Sequence, residues 1–190
     1  MRRAGLLAAG LLLAGFGPGA DPFLGLRVGA SSGEVESALR GARLEVDATS
    51  VQPGALRDGL VRTGLLEAIH RADATPRSME GGLDPAAFSR LRAGQADGAR
   101  YTVAESPRGV DFVLVRVKVP VDPSRDDRDG WSRDRLHRLQ EALRAFGGFA
   151  LRTAKQDRYE NRFEWKGKGR GGRVFVRYVP EDDELVALLY

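Results

Sequence analysis

The sequence contains no cysteine and only two histidines among its 190 residues. Without a thiol the chain cannot form disulfides, use a cysteine nucleophile or bind zinc through thiolates. His70 and His137 lie far apart in the sequence, and a histidine-based metal site usually needs a closely spaced pair. The sequence therefore predicts no metal site, no cofactor and no catalytic residue.

The chain also has little continuous apolar sequence, and its first apolar stretch is short. Residues 4–16 form a stretch of 13 residues, whereas a membrane-spanning helix needs about 20. Two arginines precede the stretch and small residues follow it up to Ala20. This order is typical of a cleavable secretory signal over residues 1–20, cut after Ala20 or after Gly19. We therefore expect a periplasmic or secreted protein with no transmembrane segment once the signal is removed.

The charge balance limits the class of partner. The formal net charge of the chain is only +4, so the total charge does not indicate a polyanion as the partner. The predicted export also argues against nucleic acid as a partner. About 170 residues remain after the signal, which is the size of one domain. We expect a single domain over residues 21–190.

The first part of this domain contains predicted helices. Ser31 and Glu34 form a capping box, because the serine hydroxyl and the glutamate can each bind the other residue's backbone N–H. A helix of about two turns should follow and end at Gly41. Residues 53–71 have apolar side chains at helical spacing and predict one helix. Residues 85–91 predict a short helix.

The second part predicts a helix followed by strands. Leu136, Leu139, Leu143 and Phe146 lie at spacings of three and four and form one apolar stripe. The helix should begin near Ser132 and end at the pair Gly147 and Gly148. Alternating apolar residues predict strands over 42–48, 100–104, 110–119, 149–153, 159–165, 173–179 and 185–190.

These patterns predict the arrangement of the sheet. The strand over 110–119 is apolar on both faces, so we expect layers on both sides of it. The strand over 159–165 has charged residues, including Glu164, on one predicted solvent face. The sequence therefore predicts an α+β fold with helices packed on an antiparallel β-sheet, ending in a helix plus a four-stranded meander. Two related halves are predicted over residues 21–120 and 131–190, joined by the charged loop 121–130.

Three motifs resemble reactive or ligand-binding sites. Residues 29–33 match G-x-S-x-G and, with His137 and an aspartate, suggest a small secreted hydrolase. The capping box explains Ser31 and Glu34 more simply. Residues 167–172 spell G-x-G-x-x-G, but a strand pattern follows instead of the helix that a dinucleotide site requires. The calcium-loop pattern around residues 127–130 has arginine at its first ligand position.

One charged cluster is a candidate binding surface. Lys166, Lys168, Arg170 and Arg173 surround a glycine-rich hairpin beside Trp165. Basic residues next to aromatic ones can bind anionic chains. Because export is predicted, anionic lipid headgroups or an acidic polysaccharide would be the natural ligands. The alternative is a solvated turn with no ligand.

The opening of the predicted domain carries a family resemblance. Residues 23–35, FLGLRVGASSGEV, resemble the F-x-G-[IL]-x-x-G-x-[ST]-x-x-E-V opening of uncharacterised exported bacterial α+β proteins. That opening is distantly similar to the SmpA/OmlA-type outer-membrane-assembly lipoproteins and to β-lactamase-inhibitor-protein-like folds. The resemblance implies helix-on-antiparallel-sheet units used for protein contact, with no catalytic residues to transfer. The chain lacks the cysteine that anchors the lipoproteins.

Three functional hypotheses follow from the sequence. The leading hypothesis is an exported non-enzymatic protein that binds another envelope or extracellular protein. The alternative is a module that adheres to anionic lipid or polysaccharide through the basic hairpin. The third hypothesis is the small secreted hydrolase.

Overall fold

The computed structural model describes residues 21–41, 45–47, 53–76, 79, 90–96, 98–120, 124, 133–157 and 162–190. The helices in these ranges are α1 (Ser32–Gly41), α2 (Pro53–Arg62), α3 (Leu65–Arg71) and α4 (Arg133–Leu143), and a 3-10 turn (Arg144–Phe149) follows α4. The strands are β1 (Glu45–Asp47), β2 (Arg90–Ala96), β3 (Ala99–Ser106), β4 (Gly109–Lys118), β5 (Arg152–Asp157), β6 (Arg162–Gly169), β7 (Gly172–Val179) and β8 (Glu184–Leu189). The predicted signal and the loop 121–130, apart from Ser124, lie outside the described residues.

The strands form one antiparallel sheet in the order β1-β2-β3-β4-β8-β7-β6-β5. Two meanders of four strands therefore meet where β4 pairs with β8. The predicted α+β fold, with a helix and a four-stranded meander at its end, is confirmed. None of the helices described is both long and apolar enough to span a membrane.

The two halves of the sheet have the same order of elements. In each half one helix, α1 or α4, precedes four antiparallel strands. The difference lies between the first and second strands of each half. The chain from β1 to β2 runs over residues 48–89 and contains α2 and α3, whereas the link from β5 to β6 covers only residues 158–161. The α2–α3 pair is thus an insertion into the first half.

One side of the sheet, the α1–α4 face, is covered by α1, α4 and the 3-10 turn. Val35, Leu39, Leu139, Phe146 and Phe149 pack there against alternate strand residues such as Val115, Val176 and Ala187. Phe23 is fully buried and makes edge-to-face contacts with Phe146 and Phe149, with ring centroids 5.8 and 5.3 Å apart. This face holds an apolar core shared by both halves.

The opposite side, the α2–α3 face, is covered by the inserted helices. Leu56, Leu60, Leu65, Ala68 and Ile69 pack against Phe112, Leu114, Phe175, Val186 and Leu188 of the central strands. The prediction that β4 is covered on both sides is therefore confirmed. Since α2 and α3 sit near the middle of this face, the outer strands of the second half extend beyond them.

The spacing of residues in the opening segment has a local physical basis. The backbone N–H of Ser31 donates to the Glu34 carboxylate at 2.7 Å, and the Glu34 N–H donates to the Ser31 hydroxyl at 3.3 Å. These hydrogen bonds lower the pKa of Glu34. Before the helix, the N–H of Val28 donates to Gly171 O and the N–H of Gly29 donates to Val110 O. The predicted capping box is confirmed, and the segment before it ties the two halves together.

Two helix predictions are wrong. Residues 53–71 form two helices instead of one, because Gly64 adopts the left-handed conformation with φ 60° and reverses the chain between them. Arg90 and Leu91 lie in β2 rather than in a short helix over 85–91, and residues 85–89 lie outside the described residues. Leu91 packs under the inserted helices, so tertiary contacts outweigh the local pattern.

Three boundary or exposure predictions also need correction. The pair Gly147 and Gly148 does not stop the helical chain, which continues as a 3-10 turn to Phe149. The first strand of the second meander begins at Arg152 instead of residue 149. Glu164, predicted on a solvent face, has a side chain only 3% exposed, because the end of α3 covers it.

Candidate functional site

The predicted basic residues lie on two neighbouring strands and the turn between them. Lys166 and Lys168 alternate along β6 with Trp165 and Gly167, and Arg173 of β7 is the register partner of Lys168. Successive strand residues point to opposite faces, so Lys166, Lys168 and Arg173 all project from the α2–α3 face. Arg170 lies in the turn and is exposed. The sequence placed these residues at a hairpin tip, whereas three of them lie on the open part of a sheet face.

Two adjoining cavities connect these residues with parts of the chain that the sequence did not single out. One has a volume of about 660 Å³ and the other about 400 Å³, and both are lined by Asp73, Lys168, Arg173 and Tyr190. We call the combined depression the cationic groove; its charged and aromatic lining consists of Asp73, Arg108, Asp111, Arg152, Lys166, Lys168, Arg173 and Tyr190. Arg170 lines neither cavity and is not part of the groove.

The cations of the groove are exposed and carry few ion pairs. Arg108, Arg152, Lys166 and Lys168 are all exposed, and no ion pair joins them to a carboxylate in the part of the chain that the structure describes. Arg152 and Lys166 are register partners across β5 and β6. The groove therefore presents more cations than carboxylates: five cations and two aspartates among its lining residues.

Tyr190 lines both cavities. The Arg173 N–H donates to Tyr190 O at 2.9 Å, and the Tyr190 N–H donates to Arg173 O at 3.0 Å. The phenol is half-buried, and this burial raises the pKa of Tyr190 although the Arg173 guanidinium opposes the shift. The hydroxyl is therefore protonated at neutral pH and does not serve as a base.

Asp73 supplies a carboxylate at the wall of the groove. It follows α3 in the left-handed conformation with φ 52°. The N–H of Asp73 donates to His70 O at 3.1 Å and the N–H of Ala74 donates to Ile69 O at 2.8 Å, which closes the helix end. Aspartate tolerates this backbone conformation better than most residues. The side chain is left exposed at the rim of both cavities.

Beside the groove, two buried carboxylates bind arginines under the inserted helices. Glu164 lies 2.8 Å from Arg71 of α3 and 3.6 Å from Arg177, while the Arg177 guanidinium also donates to Gly64 O at 2.9 Å. Glu184 is 2% exposed and contacts Arg100, Arg116 and Lys118. Burial lowers the pKa of Arg116 and of Arg177. Because Glu164 and Arg177 contact Arg71 and Gly64, we assign this cluster to the attachment of the inserted helices, whereas Glu184 joins β8 to β3 and β4.

The residues of the hydrolase hypothesis are held by local partners. The Ser31 hydroxyl donates to Glu34 at 2.9 Å, and His137 lies 3.3 Å from Glu141 on its own helix. Ser31 precedes α1, whereas His137 lies on α4, and no contact between them is seen in the described residues. Within those residues there is also no group of three histidine or carboxylate side chains that could hold a metal ion.

The glycines of the G-x-G-x-x-G motif have a packing role. A Cβ at Gly167 would lie 2.1 Å from Phe149 O, and one at Gly169 would lie 2.8 Å from Gly148 O. Side chains at these positions would collide with the 3-10 turn. The motif thus lets the turn approach β6, and its strand setting agrees with the hairpin interpretation.

Comparisons of the chain with protein-family models, with curated proteins and with solved structures give no match. The resemblance of the opening segment to exported α+β proteins therefore stays a prediction. The geometry of the groove carries the functional argument.

Proposed function

We propose that this protein is an exported, non-enzymatic binding module that holds an anionic ligand in the cationic groove. The observation that carries the proposal is the set of exposed cations around Tyr190 that form no ion pair within the described ranges of the chain. Unpaired cations on a concave surface raise the local concentration of anions and strengthen their binding. Catalysis is not part of the proposal, because the reactive side chains Ser31 and His137 are engaged locally.

The surface chemistry supports a hydrophilic ligand. Val28 and Val61 are the large apolar side chains that are exposed among the described residues, and of the two only Val28 lines the groove. A bilayer-inserting surface or an obligate protein interface normally offers a continuous apolar area. An acidic segment of another envelope or extracellular protein, an acidic polysaccharide and an anionic lipid surface all remain within the proposed class.

The proposal is tested by measuring the affinity of the purified chain for polyglutamate, polygalacturonate and phosphatidylglycerol vesicles. The double variant Lys166→Gln/Lys168→Gln should weaken binding roughly fivefold or more for the ligand that binds best, because two exposed charge pairs are lost. The matched control Arg40→Gln/Arg144→Gln removes the same charge from exposed helical positions and should change affinity less than twofold. Binding should weaken as salt rises.

Two outcomes contradict the proposal. One is the absence of binding to all three probes at low salt. The other is an equal loss of affinity in both double variants, since that result would mean that binding follows net charge and not the groove.

Export is tested separately. The chain expressed with residues 1–20 in a bacterial host should be recovered outside the cytoplasm with a new N-terminus at residue 20 or 21, as read by mass spectrometry. Retention of the intact N-terminus in the cytoplasmic fraction would contradict export without bearing on the groove.

A further inference from the structure

We propose that the ligand of the cationic groove is a linear polysaccharide that carries carboxylates, such as a polymer of uronic acids. This inference rests on the proposed function and names its ligand class. It follows from three properties of the groove: its length, its mixture of charges and its aromatic lining.

The groove is long and crosses the strands. Its lining residues come from the start of β4, from Tyr190 directly after β8, from β7 and β6, and from Arg152 on the outer strand β5. Strands lie about 4.8 Å apart, so the four intervals from β4 to β5 span about 20 Å. An extended chain fits such a channel. A planar bilayer surface cannot follow a depression between the segment after α3 (residues 72–76) and the strands.

The groove contains carboxylates as well as cations. Asp73 and Asp111 line the larger cavity together with Arg108, Lys168 and Arg173. A ligand that offers only negative charge, such as a polyphosphate or polyglutamate side chains, would be repelled by these carboxylates. A uronic acid chain brings carboxylates for the cations and hydroxyl donors for the exposed carboxylate of Asp73. The mixed lining therefore favours the sugar polymer over a plain polyanion.

The cations are arranged as two pairs. Arg152 faces Lys166 across β5 and β6, and Lys168 faces Arg173 across β6 and β7. Lys166 and Lys168 are two residues apart on one strand, which separates the pairs by about 7 Å. Each pair combines an arginine, which can bind a carboxylate with two parallel hydrogen bonds, with a lysine. The pairs can hold two carboxylates of one chain.

Tyr190 lies beside both pairs, and its half-buried ring borders both cavities. An aromatic ring with a polar tip offers an apolar surface and a hydroxyl at the same place. A pyranose ring has a C–H face and hydroxyl edges, and both can be satisfied there. Thr75 and Ser106 add hydroxyl groups to the wall of the larger cavity.

Substitution of Asp73 separates a sugar polymer from other anions. Asp73→Asn removes one negative charge but keeps the size of the side chain, and asparagine tolerates the left-handed backbone at this position. A plain polyanion should bind the variant more tightly, because repulsion is removed. A polyuronate that donates hydroxyls to the Asp73 carboxylate should bind it roughly three- to tenfold more weakly, since a hydrogen bond to a charged acceptor is replaced by a neutral one.

The experiment is isothermal titration of the wild-type chain and of Asp73→Asn with polygalacturonate and, separately, with polyglutamate of matched charge number. The expected result is tighter wild-type binding of polygalacturonate, which Asp73→Asn weakens, while the variant gains affinity for polyglutamate. Asp58→Asn, an exposed position on α2 away from the groove, is the control for a general charge effect and should leave the preference unchanged.

The possible failures are distinct. If polyglutamate binds as tightly as polygalacturonate, or Asp73→Asn strengthens both, the sugar assignment is overturned while the anion-binding function stands. If phosphatidylglycerol vesicles bind and both soluble polymers do not, the ligand is a lipid headgroup and the sugar assignment is equally overturned. If none of the probes binds, the proposed function fails as well.

Discussion

The two faces of the sheet are covered by helices in different ways. On the α1–α4 face the helices belong to the two matching halves and pack through a large apolar core. Polar contacts join it: the buried Arg135 of α4 donates to Tyr178 and Asp183, and Arg92, which binds the buried Glu105, donates to Ser32 of α1. On the α2–α3 face the cover is an insertion, and its apolar contacts are flanked by the buried carboxylates Glu164 and Glu184 with their arginines. Removal of one partner of a buried ion pair leaves the other charge buried and uncompensated, so the attachment of α2 and α3 is expected to be sensitive to single charge substitutions.

The different extent of helical cover on the two faces also determines where the groove lies. Because α2 and α3 cover only the middle of their face, the cations on β5, β6 and β7 beyond them stay in contact with solvent. On the α1–α4 face the corresponding region of the second half is closed by the 3-10 turn and by Phe149. Over the second half of the sheet, the α2–α3 face therefore has room for a ligand where the α1–α4 face is closed.

The largest expected effect on stability is on the α1–α4 face. Phe146→Ala removes a fully buried ring that contacts Phe23 and should lower the free energy of unfolding by about 3–5 kcal/mol. Leu143→Ala, at a half-buried position on the same side, should cost less. Urea unfolding of both variants measures the difference. Equal losses at the two positions would show that this face is not a tightly packed core.

The next prediction concerns the ionic attachment of the other face. Glu164→Leu leaves Arg177 buried without its carboxylate and should cost about 3 kcal/mol or more. The control Glu67→Leu removes a second carboxylate that contacts the same Arg71, but at a side chain 77% exposed, and should cost about 0–1 kcal/mol. The double variant Glu164→Leu/Arg177→Leu should recover part of the loss, which denaturant unfolding would measure as a coupling energy. Additive losses would mean that the pair does not act as a unit.

A third prediction concerns the close approach of the 3-10 turn to β6. Gly167→Ala places a Cβ against Phe149 O and should destabilise the protein by about 1–3 kcal/mol through overpacking. Gly147→Ala is the matched control, because a Cβ there meets no atom within 4 Å, and its stability should be equal to or slightly above that of the wild type. Thermal unfolding of the two variants checks the contrast. A wild-type stability for Gly167→Ala would contradict the packing role of the motif.

How much of the fold can be predicted from the sequence depends on how far apart in the chain the interacting residues lie. The capping box at Ser31 and the strands of the second half follow from residues that are neighbours in sequence, and they were predictable. The two inserted helices were not predictable as a pair, because Gly64 interrupts an otherwise helical pattern. The strand β2 was not predictable either, because Leu91 takes its strand conformation from contacts with residues distant in sequence. Glu164 alternates like a solvent-facing residue, and only the position of α3 shows that it is buried.

The candidate site was likewise predictable only in the part that is formed by residues close in sequence. Lys166, Lys168 and Arg173 were found from local charge and glycine content, whereas Arg170 was included with them on the same signal but lies outside the groove. Asp73, Arg108 and Arg152 come from other parts of the chain and meet the basic strands only through the sheet order. A charge cluster in sequence thus marked the place of the site but not its full lining.

The smallest expected effect is at the start of α1, where the two halves are joined. Ser31→Ala removes the hydroxyl that accepts from the Glu34 N–H and should cost about 1 kcal/mol of stability. Ser32→Ala is the control, since this neighbouring hydroxyl accepts a bond from Arg92 and does not cap the helix. Because α1 covers the first half only, the loss should appear as faster amide exchange in α1 with little change in α4. An equal increase of amide exchange in α1 and α4 would show that the two halves unfold as one unit. In that case α1 and α4 would differ from the inserted helices α2 and α3 only as a pair, and not half by half.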